Sequence, residues 1–179
     1  MPLLRLTQHI EKKADHYRVE IAFEDDGSRQ TADVTFKYEF TDEDRADLRW
    51  YLEDFLQYPM DPAPKIAGRI ETRMTELGTD LFKKVFQATE DARDLWSNLR
   101  AELDNTRVEV FTDVKGAVAL PWELLRDPKT DAALALRAKS FVRSYTKGVQ
   151  RPDRPAKADK IRILLVICRP GGGEDVPFR

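Results

Sequence analysis

The sequence predicts a mixed α/β chain, α+β overall, and three observations carry that prediction. Apolar residues alternate with period two through the first forty residues. From residue 41 to about 104 they recur at three- and four-residue spacing. A β-branched apolar run, Ile161 to Cys168, follows near the end. The expected order is an antiparallel β-hairpin module over 1–40, a helical segment over 41–104, a small α/β segment over 105–149, a linker over 150–160, and a last strand with a frayed end over 161–179.

The hairpin reads directly from its faces. Val19, Ile21 and Phe23 share one side of the first strand, with Arg18, Glu20 and Ala22 on the other. The turn signal Asp25-Asp26-Gly27-Ser28 follows, and Ala32, Val34, Phe36, Tyr38 and Phe40 then line one face of a second strand. Leu3, Leu4 and Leu6 predict a third strand.

Thr41-Asp42-Glu43-Asp44 is a helix start, because Thr41 can accept an orphan N–H and the acids suit the positive end of the helix dipole. Leu48, Tyr51, Leu52, Phe55 and Leu56 form one apolar stripe until Pro59, Pro62 and Pro64 end the helix. A second helix carries Ile66, Ile70, Met74, Leu77, Leu81, Val85 and Phe86, with Gly78 expected to bend or break it. A third carries Leu95, Trp96, Leu99 and Leu103. Three amphipathic helices in series must pack on one another or on a sheet.

Strands return at Val108–Phe111. Pro121-Trp-Glu-Leu-Leu125 begins a helical turn with proline at its first position. Leu134-Ala-Leu136 and Phe141–Tyr145 read as short strands. Gln150 to Lys160, with two prolines and six charges, reads as a solvated linker. The run 161–168 is apolar on both faces, as a strand covered on both sides should be.

Composition narrows the function. With 30 basic against 32 acidic residues, a broad basic surface for nucleic acid is not expected. The longest apolar run, Ile163 to Cys168, is far shorter than the ~20 residues of a membrane-spanning helix. The N-terminus does not read as a signal peptide, and the single cysteine, Cys168, cannot form an intrachain disulfide. A cytoplasmic protein without membrane association is expected.

Few residues offer chemistry. Cys168 is the only thiol, and the only histidines, His9 and His16, lie far from it in sequence, so Cys168 reads as a packed strand residue and the histidines as surface residues. No spacing suits zinc, and no cofactor is expected. Pro170-Gly171-Gly172-Gly173 follows a strand, as phosphate loops do, but fits neither phosphate-loop spacing, and a frayed end is expected. Glu71, Glu76, Asp80 and Glu90 read as a solvated face rather than acid–base pairs. Arg137, Lys139 and Arg143 read as an exposed strand face rather than an anion site.

Leu120-Pro-Trp-Glu-Leu-Leu-Arg-Asp-Pro128 is the most distinctive stretch. With Ala133–Arg137, Phe141–Arg143 and Ile161–Pro170 it resembles the opening part of a CHAT domain, a caspase- and separase-like peptidase family. Leu48–Phe55 and Leu77–Phe82 resemble the helical lead-in that many such proteins carry, so the resemblance spans about residues 45–179. It implies that 161–168 is the first strand of a caspase-like core left incomplete within these residues. The family's histidine and cysteine stand at the ends of later strands, so no catalytic residue carries over. Trp122 suits an anchor, and Glu123 can cap backbone or pair with Arg126 or Arg143. The implied function is a regulatory or structural N-terminal region of a cysteine peptidase, itself non-catalytic. Its partners would be the remaining core, a regulator or a substrate protein, and self-association is a further expectation. The alternative is a non-catalytic interaction module, a scaffold or adaptor, that recruits a protein through a sheet edge or helical face.

Overall fold

The computed structural model describes residues 1–9, 16–57, 60–112 and 120–144. The linker over 150–160, the strand expected over 161–168, Cys168, the Pro170–Gly173 loop and Tyr145 lie outside the described residues. Mixed α/β content is what the chain adopts. The elements are β1 (Leu3–His9), β2 (His16–Asp25), β3 (Ser28–Lys37), α1 (Asp42–Glu53), α2 (Ala63–Phe86), α3 (Glu90–Leu99), β4 (Arg107–Thr112), β5 (Arg126–Asp127), β6 (Ala132–Ala133), α4 (Leu134–Arg137) and β7 (Ser140–Ser144).

Five strands form one sheet in the order β3-β2-β1-β4-β7, and β5 and β6 form a small ribbon. The pairs β3–β2 and β2–β1 are antiparallel, while β1–β4 and β4–β7 are parallel. The N-terminal strands are therefore continued by β4 and β7 instead of standing as a sheet of their own. The helices α1, α2 and α3 lie in the connection that carries the chain from β3 back to β4, the long crossover a parallel pair needs.

One sheet face makes the core. Leu4 and Leu6 stand opposite Phe23 and Ile21 on one side and Val108 and Val110 on the other, and Val19 faces Val34. All of these are buried. Against this face α2 places Leu77, Leu81, Phe82, Val85 and Phe86, and α3 places Ala92, Leu95, Trp96 and Leu99. The rings of Phe82 and Trp96 meet edge to face with centroids 4.8 Å apart, a contact worth about 0.5–1.5 kcal/mol beyond its buried area. At the inner rim the buried Tyr38 donates its hydroxyl proton to the Leu77 carbonyl at 3.0 Å.

The other sheet face is polar. Arg18 bonds Asp33 at 3.1 Å, Arg107 bonds Glu109 at 2.7 Å, and the Arg5 guanidinium lies 5.0 Å from the centre of the Phe111 ring. Both expected histidines belong to this region, and His9 Nε2 stands 3.8 Å from Glu20.

Four sequence expectations need correction. Gly78 does not break its helix, since α2 runs unbroken over 24 residues. Leu134–Leu136 is a turn of helix, with only Ala132–Ala133 in strand. A three-residue apolar run has too little length to separate the two states by pattern. Arg137, Lys139 and Arg143 consequently do not alternate along one strand. The stripe expected on α1 is also absent in part: Leu52 is 63% exposed, and Asp44 is the residue α1 buries.

Candidate functional site

The strongest constellation surrounds Trp122. Pro121 precedes a single 3₁₀ turn, Trp122–Leu124, which drops the indole into the core, where it is fully buried with Leu120 and Leu125 beside it. Burial leaves the indole N–H in need of a partner. It donates to Gln8 Oε1 at 3.1 Å. Gln8 is an inward-facing residue of β1, in phase with Leu4 and Leu6, and its buried Nε2 has no hydrogen-bond partner among the described residues.

Two further contacts hold the same turn. Arg143 on β7 reaches Glu123 with a forked pair, Nε to Oε1 at 2.6 Å and Nη2 to Oε2, and also donates to the Leu120 carbonyl at 3.2 Å. Glu123 therefore takes Arg143 rather than Arg126, which stands 3.2 Å from Asp131. From the opposite side α2 presses its backbone on the turn: a Cβ at Gly78 would lie 1.8 Å from Leu124 O. The Pro121–Leu125 segment thus joins β1, β7 and α2 at one point.

A second polar arrangement joins α1 to α2. Thr41 caps α1 by accepting from Asp44 N at 3.0 Å, while Thr41 N donates back to Asp44 Oδ2 at 3.0 Å. Arg73 bonds the same carboxylate at 2.7 Å, and Arg69 holds Asp47 at 2.9 Å. The Arg73 guanidinium, aided by the Thr41 backbone and hydroxyl, draws the Asp44 carboxyl down to about 2 against the penalty of burial. These residues, with Glu43, Thr72 and Glu76, line an open cleft of about 630 Å³. Its cations are already bonded to its own carboxylates, so the cleft is a seam between helices.

The other candidates fall into structural places. Glu71 accepts the Tyr51 hydroxyl proton at 2.6 Å, a bond that raises the phenol pKa. Glu76 lies 3.6 Å from Arg73, Asp80 lies 3.6 Å from Lys84, and Glu90 sits in the first turn of α3. Arg137 pairs with Asp104 at 3.0 Å, and the exposed Lys139 gives its backbone N–H to Thr106 O. Among the described residues no cluster of His, Cys, Asp or Glu could hold a metal ion. The site's chemistry is that of a joint: buried area, one indole–amide bond and one forked ion pair. Sequence reasoning singled out Trp122 and Glu123, read Asp44 only as an acid at a helix start, and missed Gln8 and Arg73. A polar residue at an inward β1 position was the available signal for Gln8.

No protein-family profile, curated protein or solved structure matches this chain. Among the described residues no helix is long and apolar enough to cross a membrane.

Proposed function

We propose that this chain is the structural and regulatory N-terminal region of a CHAT-type, caspase-like cysteine peptidase of the cytoplasm, and that it contributes no catalytic group. The observation that carries this reading is the placement of Pro121–Leu125, the stretch with the most distinctive resemblance, at the junction of β1, β7 and α2. A segment so placed ties β1 to β7 across the parallel half of the sheet, β1-β4-β7. In the complete peptidase, a histidine and a cysteine supplied by later strands would form the thiolate that attacks the scissile carbonyl. Backbone N–H groups would stabilise the oxyanion.

The test is cleavage of a peptide library by the 179-residue chain and by the protein extended through the downstream codons. The reading expects hydrolysis by the extended protein and none by the shorter chain. Inactivity of an extended, folded protein overturns it. A second reading, a non-catalytic interaction module, is favoured by the exposed edge strand β3. It expects a protein partner and no hydrolysis from either form.

A further inference from the structure

We propose that β3 is a self-pairing edge, through which two copies of this chain join antiparallel about Thr31, with Arg29 of each copy facing Asp33 of the other. This goes beyond the peptidase reading and does not depend on it.

Among the described residues no strand lies beyond β3 in the sheet. The phase of its hydrogen bonding is set by the turn. Asp26 and Gly27 have φ of 41° and 84°, both positive, and Asp25 stands opposite Ser28, so a two-residue turn of the mirror-image type closes the hairpin. The closing pair of such a turn is hydrogen-bonded, and hydrogen-bonded pairs then alternate. Residues 28, 30, 32, 34 and 36 therefore bond to β2. Arg29, Thr31, Asp33, Thr35 and Lys37 aim their N–H and C=O groups outward, and all five are exposed. The result is a regular row of edge groups, with side chains on the polar sheet face.

Charge selects among the two-fold registers this edge could adopt. Centring on Asp33 would use nearly the whole strand, but it sets Asp33 against Asp33 and Arg29 against Lys37 on both sides of the axis. Like charges directly opposite are destabilising. Centring on Ala32 or Val34 places the charges against threonines. Centring on Thr35 opposes Asp33 and Lys37 but keeps only residues 33–37 on the strand. Centring on Thr31 pairs residues 28–34, sets Thr31 against Thr31, and opposes Arg29 and Asp33 twice. It is the longest register within β3 that pairs opposite charges directly.

The two charges are suited to the exchange. Asp33 takes both Arg18 bonds on Oδ1, at 3.1 and 3.3 Å, so a second guanidinium can approach Oδ2. Arg29 is 57% exposed and stands 3.6 and 3.9 Å from Glu24 and Glu20, contacts loose enough to release it. On the core side of the sheet the same register sets Ser28 against Val34.

Sedimentation velocity of the full chain at low ionic strength tests the proposal, with circular dichroism confirming that each variant is folded. The wild type is expected to dimerise. Arg29→Glu and Asp33→Lys should each weaken the dimer by about tenfold or more, because symmetry turns two attractive pairs into repulsive ones. The double variant R29E/D33K should recover it, and an equimolar mixture of the two single variants should form a heterodimer. A wild type that stays monomeric into the millimolar range overturns the proposal. So does a dimer indifferent to Arg29→Glu, or a double variant as weak as the singles.

Discussion

Gly78 of α2 lies against the main-chain carbonyl of Leu124, so close that a Cβ at position 78 would stand 1.8 Å from the oxygen. The obstacle is backbone, which cannot swing aside as a flexible side chain would. Glycine costs about 1 kcal/mol relative to alanine inside a helix, and here that cost permits the contact between α2 and the Trp122 turn.

Gly78→Ala should therefore destabilise the chain by about 1–3 kcal/mol, the range for overpacking that forces backbone to move. Gly68, on the same helix with nothing within 4 Å of its would-be Cβ, provides the control. Gly68→Ala should stabilise by about 0.5–1 kcal/mol. Urea unfolding of the two variants checks both signs. Equal effects would mean that α2 does not rest on Leu124.

The indole–amide bond between Trp122 and Gln8 should appear as a coupling energy. Trp122→Phe leaves Gln8 Oε1 without its donor, while Gln8→Leu leaves the indole N–H unpaired and removes the buried Nε2. A double-mutant cycle over W122F and Q8L should give about 1 kcal/mol of coupling. Additive effects would contradict a bond at this joint.

The Asp44 carboxyl gives the fold an acid limit. Its folded pKa of about 2 lies below its ordinary 3.8, held there first by Arg73. A depressed acid contributes stability above its unfolded pKa and loses it as pH falls through its folded one. The expected loss is on the order of 2 kcal/mol, beginning near pH 4, mostly spent by about pH 2 and complete only about one unit below the folded pKa. Unfolding free energies measured across that window should fall less steeply for Asp44→Asn, which is already weaker at pH 7. A parallel pH dependence in the variant would remove Asp44 from the account.

The local parts of this fold were legible because local physics sets them. Asp26-Gly27 can adopt positive φ, Thr41 caps the first helix, and alternation at Val19, Ile21 and Phe23 names the buried face. The joints between distant segments were not. Nothing near Arg107 announces that β4 pairs beside β1, and Trp122 meets a partner 114 positions away. Gly78 was legible as an exception to helix propensity, but its reason lies in Leu124, and a single glycine reads alike as a break or a close approach. On α1 the spacing counted Leu52 toward a buried stripe. In the structure α1 turns Asp47 and Asp44 to Arg69 and Arg73 of α2 and leaves that leucine outside.

The claim that this chain supplies architecture and no catalytic group is tested most directly in the extended protein. There kcat/KM for peptide cleavage would be compared between the wild type and a variant carrying His9→Asn, His16→Asn and Cys168→Ser together, with thermal unfolding confirming an intact fold. The account expects the two values to agree within about twofold. A folded variant that loses cleavage by about a hundredfold or more, the scale on which removing an acid–base group is felt, would place a catalytic group in this chain and contradict it.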